Sequence, residues 1–322
     1  MKDDYLWDRS GPPDPQIERM ERALEPLRFH PRSERLNRPA PRARHWLWAA
    51  AAAAVVLCAA WLSRGSLAPA APTAWQVAGV EGTARLGSNG AQVAMAVRSG
   101  QVVRTGNRSQ VTLEADPVGR VDLGPDSELR ASTSSNLLLR RGQLHAFIWA
   151  RPRDFVVDTP SASAVDLGCE YTLNVNDTGD GLLRVSLGWV AFQYGQHEAF
   201  IPAGAECVTR RRSGPGIPFY EDASGPFRRS LEIYEDGSAA ALPAILAEAR
   251  SRDGLTLWHL LTRVAPSDRG QVFDRFARLV TLPAEVTRDA AVRGDPHTID
   301  LCWDALNLED TGWWRGWERN WK

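Results

Sequence analysis

Short runs in which apolar and polar residues alternate fill the middle of the chain. Val111-Thr112-Leu113 and Val121-Asp122-Leu123 each put two apolar side chains on one face of a strand and a polar one on the other. β-prone runs recur at 77–86, 101–104, 110–113, 120–123, 137–140, 155–157, 171–175, 183–187 and 189–192. Glycines supply the turns between them, among them Gly100, Gly106, Gly119, Gly124, Gly142, Gly181, Gly188 and Gly204. This texture predicts an all-β domain over 75–209, built as a sandwich, a barrel or a solenoid-like stack.

The period changes on both sides of that region. Residues 210–226 are rich in Gly, Pro and Arg and read as a connector. Beyond them apolar positions return to helical spacing, as at Leu242, Ile245, Leu246 and Ala249. Helices are expected over 227–234, 242–251, 256–264, 268–280 and 299–308, making 227–322 a small all-α C-terminal domain. Its tail carries Trp313, Trp314, Trp317 and Trp321, which are expected to pack on those helices. Near the N-terminus, Asp14 suits a helix cap and Pro15 the first helical position. Ile17, Met20, Leu24 and Leu27 then recur on one side until Pro31 ends the pattern. A helix of about 15 residues cannot bury that stripe alone, so it must dock on something. Leu6 and Trp7 add an apolar cluster just upstream.

Between the arm and the β region lies HWLWAAAAAAVVLCAAWL, His45 to Leu62, without an Asp, Glu, Lys or Arg. At 1.5 Å per residue a helix of this segment is about 27 Å long, close to the hydrocarbon thickness of a bilayer. Trp46, Trp48 and Trp61 stand at its ends, where interfacial aromatics belong, and Arg44 and Arg64 extend its reach by snorkelling. Arg28, Arg32, Arg35, Arg38, Arg42 and Arg44 precede it, whereas Arg64 stands almost alone on the far side. The positive-inside rule then keeps the arm, 1–44, in the cytoplasm, makes 45–63 a single transmembrane helix, and sends the rest outside after a 64–74 linker. The long arm with its own helix favours an uncleaved signal anchor over a cleaved signal peptide.

Charge and cysteine usage add little chemistry. The 38 Lys and Arg nearly balance the 39 Asp and Glu, and no region outside the arm is basic enough to argue for nucleic acid. Arg210, Arg211 and Arg212 form a short run that reads as a solvated loop. Cys169 and Cys207 fall in one β region, and if it lies outside the cytoplasm they are a candidate disulfide. The six histidines are scattered, and no Cys-x-x-Cys pair is present, so no metal site is expected. Asn176, Asp177 and Asp180 around Gly179 do not complete a calcium loop and read as a polar hairpin turn. With no phosphate-binding glycine loop or nucleophile elbow, no catalytic residue and no cofactor are expected.

The β region resembles the FecR domain. The likeness rests on Val77-Ala78-Gly79-Val80-Glu81-Gly82, Arg98-Ser99-Gly100 with Arg104-Thr105-Gly106, and Val121-Asp122-Leu123-Gly124-Pro125-Asp126-Ser127. It continues through Leu139-Arg140-Arg141-Gly142-Gln143-Leu144, Phe155-Val156-Val157-Asp158-Thr159-Pro160, Asp166-Leu167-Gly168-Cys169-Glu170-Tyr171, Gly188-Trp189-Val190 and Ile201-Pro202-Ala203-Gly204. Trp7-Asp8, the arm helix and Leu257-Trp258-His259-Leu260-Leu261 are similar to a membrane-anchored subgroup of that family. The resemblance implies a bacterial inner-membrane regulator whose periplasmic β sensor, facing an unknown periplasmic protein or ligand, controls a cytoplasmic extracytoplasmic-function sigma factor in the manner of an anti-sigma factor. Leu6, Trp7, Ile17, Met20, Leu24 and Leu27 are then the expected partner-binding residues. Two features depart from the family pattern: no secretin-like βαβ module follows the β region, and the arm lacks the usual longer helical segment. The alternative is an envelope ligand-binding or scaffold protein whose arm is an anchor only.

Overall fold

The computed structural model describes Arg19 and residues 75–195 and 197–308. The predicted arm residues Leu6, Trp7, Ile17, Met20, Leu24 and Leu27, the 45–63 span, the linker and the tryptophan tail lie outside the described residues. Among the described residues no helix is long and apolar enough to cross a membrane. The described residues from Trp75 onward belong to one compact unit, 68–322.

This unit begins its β elements with β1 (Trp75–Glu81), β2 (Ala84–Leu86), β3 (Asn89–Gly90), β4 (Ala96–Val97), β5 (Val102–Thr105), β6 (Gln110–Ala115), β7 (Gly119–Leu123) and β8 (Glu128–Ala131). The longer β9 (Asn136–Ile148), β11 (Ser163–Val175) and β12 (Gly181–Tyr194) come next, with the short β10 (Val156–Asp158) between the first two. β13 (His197–Pro202), β14 (Ala205–Arg210), β15 (Gly214–Pro215) and β16 (Phe219–Tyr220) complete a single hydrogen-bonded network. Pairing is antiparallel except between β9 and β10.

Alternation explains the core. In β6 and β7 every second residue is buried: Val111, Leu113 and Ala115, then Gly119, Val121 and Leu123. The same alternation in β8 and β9 adds Leu129, Leu137, Leu139 and Leu144. Trp75 is fully buried, its ring 5.8 Å from that of Phe155 and its Nε1 donating to Ser134 O at 3.0 Å. An indole with its N–H satisfied contributes its full apolar area at no polar penalty.

The long strands bend rather than end. Leu137–Arg141 of β9 pairs with β8, and Leu144–Ile148 pairs with β7. The change of partner falls at Gly142, whose φ is +95° and where a Cβ would collide with Ser127. β12 bends at Gly188, with φ of +70°; a Cβ there would fall on the carbonyl oxygen of Gly168, in the bulge of β11. Glycine is required at both positions by conformation and by space.

The helices are α1 (Gly225–Glu235), α2 (Leu242–Glu248), α3 (Gly254–Arg263), α4 (Arg269–Leu279), α5 (Arg288–Arg293) and α6 (Pro296–Asp304). Ser224, Thr287 and Asp295 cap α1, α5 and α6 through their side chains. α3 is buried from Gly254 through Leu261. Such all-round burial marks a central helix, and its hydrogen bonds tie it to its surroundings. Thr256 Oγ1 donates to Pro218 O at 2.8 Å, Trp258 Nε1 donates to Ile299 O at 3.0 Å, and Phe200 N donates to His259 Nε2 at 3.2 Å. Sheet and helices thus share one core. The connector expected over 210–226 is partly strand: Gly214–Pro215 and Phe219–Tyr220 pair with β14.

Candidate functional site

Where the free end of the sheet meets the helices there is a groove of about 700 Å³. One wall is the end of β12, the start of β13 and the β14–β15 turn; the other is the end of α1, the last turn of α3 and the start of α4. Tyr234, Trp258, Leu261 and Ile299 supply apolar surface, and Arg210, Arg212, Arg263 and Arg269 supply charge.

Arg263 fixes the groove's shape. Standing in the last turn of α3, its Nη1 donates to Pro215 O at 3.0 Å and Gly216 O at 2.8 Å, and its Nη2 to Glu198 O at 2.9 Å. One planar guanidinium therefore ties β13 and β15 to the helix. Glu235, at the end of α1, accepts from Ile217 N and from Arg210 Nη1, the latter at 3.0 Å, while Arg210 Nη2 reaches Asp236 at 2.8 Å. Burial pushes the Glu235 carboxyl upward, and the bonds from Ile217 and Arg210 pull it back. Glu198 is likewise pushed up by burial, against a bond from Gln193 Nε2.

Two of the four arginines are left over. Arg212 is exposed at the turn, and Arg269 reaches only Val292 O, at 3.4 Å. Among the described residues neither meets a carboxylate, and the buried Nε of Arg269 has no hydrogen-bond partner. The groove thus combines apolar surface with more arginines than carboxylates. In the sequence Arg210–Arg212 reads as a solvated loop, and nothing singles out Arg263 or Arg269. No local signal marks them, because the groove is assembled from several separate segments between Tyr194 and Ile299.

The candidate disulfide is corrected by the geometry. Cys169 and Cys207 are free, buried thiols. Cys169 stands opposite Gly188 and Cys207 opposite Leu183, so β12 lies between their strands. At the usual sheet spacings they are about 10 Å apart across the strands and about 16 Å along them. A bridge requires Cα atoms within about 7 Å. Cys169 Sγ instead donates to Asp166 Oδ2, and Gly168 N to Asp166 Oδ1 at 2.8 Å. Burial raises the Asp166 carboxyl to about 6 and pushes both thiols up, so neither cysteine has thiolate character at neutral pH. The Tyr171 hydroxyl is buried in the same neighbourhood without a hydrogen-bond partner.

Asn176–Asp180 forms the β11–β12 turn, with Asn176 Oδ1 accepting from Thr178 N and Asp180 N, each at 3.0 Å. Among the described residues no group of three or more His, Cys, Asp or Glu is placed to hold a metal ion. Phe147 and Trp149 form an exposed aromatic pair on β9 and just beyond it, ring centroids 5.8 Å apart.

Residues 101–190 match the family model described as FecR protein. No curated protein matches the chain. Two crystal structures of a candidate anti-sigma factor from Parabacteroides distasonis ATCC 8503, at 1.65 Å and 2.50 Å, are similar at 15% identity and a TM-score of 0.33. The similar part covers 42% of this chain and 65% and 64% of theirs, less than two thirds of either. A likeness that slight extends neither fold nor function from those proteins to this one. The residues that match the FecR model run from just before β5 to just past the Gly188 bend of β12.

Proposed function

We propose that the chain is a single-pass regulator of the bacterial inner membrane, with 1–44 in the cytoplasm, 45–63 across the bilayer and the unit beginning at β1 in the periplasm as the sensor. The arm helix holds an extracytoplasmic-function sigma factor through Ile17, Met20, Leu24 and Leu27, with Leu6 and Trp7 beside them. The signal is a change in what the arm holds, and the protein performs no chemistry. The observation that carries this reading is the FecR match over 101–190. The arginine asymmetry around 45–62 supports the orientation.

A two-hybrid assay of 1–44 against the host's extracytoplasmic-function sigma factors tests it. A specific partner lost on Leu24→Asp supports the reading. A well-expressed arm that pairs with none of them reduces it to an anchor and favours the second reading, an envelope ligand-binding protein, for which the groove beside Arg263 is the supporting feature.

A further inference from the structure

We propose that the groove between the β14–β15 turn and helices α3 and α4 binds a small organic anion, an acid with an aromatic or aliphatic body, whose charge sits between Arg212 and Arg269. This deepens the sensor reading by naming the class of ligand, and binding is measured independently of any cytoplasmic partner.

Three observations converge. The volume, about 700 Å³, lies within the roughly 300–1,000 Å³ of small-molecule sites, more than an inorganic ion fills. The lining is chemically mixed: Trp258, Leu261 and Ile299 provide apolar contact, and Arg210, Arg212, Arg263 and Arg269 provide charge. The charge does not balance internally. Four arginines stand against three carboxylates: Arg210 pairs with both Glu235 and Asp236, Glu198 also lines the groove, and Arg263 spends its donors on the carbonyls of Glu198, Pro215 and Gly216. Arg212 and Arg269 remain, the second with a buried Nε that has no acceptor. A carboxylate meets a guanidinium through short, charge-assisted bonds. Arg263 makes the groove pre-formed, so little ordering opposes binding.

The test is calorimetric titration of the full chain in zwitterionic nanodiscs, with empty nanodiscs as reference. The probes are 4-phenylbutyrate and its neutral amide. One-to-one, saturable binding of 4-phenylbutyrate is expected, at least tenfold tighter than the amide. Arg269→Gln is expected to weaken it at least tenfold. Arg212→Gln, at an exposed position that cannot disturb the core, weakens it about threefold and carries the test if the Arg269 variant fails to fold. No saturable binding of 4-phenylbutyrate, equal binding of the amide, or unchanged affinity in both variants overturns the proposal. Such a result, with Leu24→Asp still abolishing the arm's partner, removes the ligand assignment and leaves the regulator reading standing.

Discussion

The backbone N–H of Phe200 donates to Nε2 of His259 across 3.2 Å, joining β13 to the central helix α3. Nδ1 of the same ring donates to Leu255 O at 2.9 Å, so His259 is neutral, with its proton on Nδ1. His259→Leu keeps the apolar volume and strands the Phe200 N–H in the core. The expected loss is about 1–3 kcal/mol in urea unfolding, with the fold retained. Wild-type stability in that variant contradicts the assignment.

Stability should respond to pH through two buried groups of opposite sign. His259 is lowered to about 3, by burial first and by the Arg263 charge second, so the unfolded chain takes up the proton more readily. Its contribution is complete above its ordinary value near 6.5 and drains away as pH falls toward 3. Asp166 is raised to about 6, chiefly by burial, and behaves oppositely. Its contribution is complete below its ordinary value near 3.8 and is lost as pH rises through 6. Between pH ~4 and ~6 each group contributes a slope of about 1.4 kcal/mol per pH unit, with opposite signs. Asp166→Asn should make stability climb more steeply with pH in that window, and His259→Leu should flatten or reverse the climb. Chemical unfolding at half-unit intervals resolves the difference; parallel curves for all three proteins contradict it.

The glycine bends separate required from tolerated positions. At Gly188 a methyl group would land on the Gly168 carbonyl, whereas at Gly195, φ +59°, nothing lies within 4 Å. Gly188→Ala should therefore lose about 2–4 kcal/mol through forced movement of the paired strands. Gly195→Ala should lose about 1 kcal/mol, the ordinary penalty of a left-handed non-glycine residue. Thermal unfolding of the pair decides it, and equal losses would show that the close approach of β11 and β12 does not constrain the sheet.

Both thiols of the β region should remain reduced. Mass spectrometry of protein from an oxidising compartment should find Cys169 and Cys207 alkylated only after denaturation, each by one label. A peptide joined through the two sulfurs contradicts the strand register.

The β elements are most legible in the sequence where one face is buried and the other wet, as in 110–113 and 120–123, which fall within β6 and β7. Legibility fails where both faces are covered or the chain bends. His197–Pro202 has four consecutive buried residues and so shows no alternation. Arg140-Arg141-Gly142 reads as the end of a strand, yet Gly142 only turns β9 toward new partners. The helix Arg288–Arg293 is six residues long, too short for a period to show, and its one local sign is the Thr287 cap. The groove is illegible for a different reason: Arg212 and Arg269 stand on separate elements, and only tertiary structure shows which arginines lack acids.

In the proposed function the arm's apolar stripe transmits a signal to transcription. The direct measurement is genome-wide transcription in the native host, comparing the wild-type full chain, a deletion of the chain, and Leu24→Asp at normal protein level. Deletion and Leu24→Asp are predicted to alter the same promoters, those read by one extracytoplasmic-function sigma factor. An unchanged profile with Leu24→Asp, or with the deletion itself, contradicts that role.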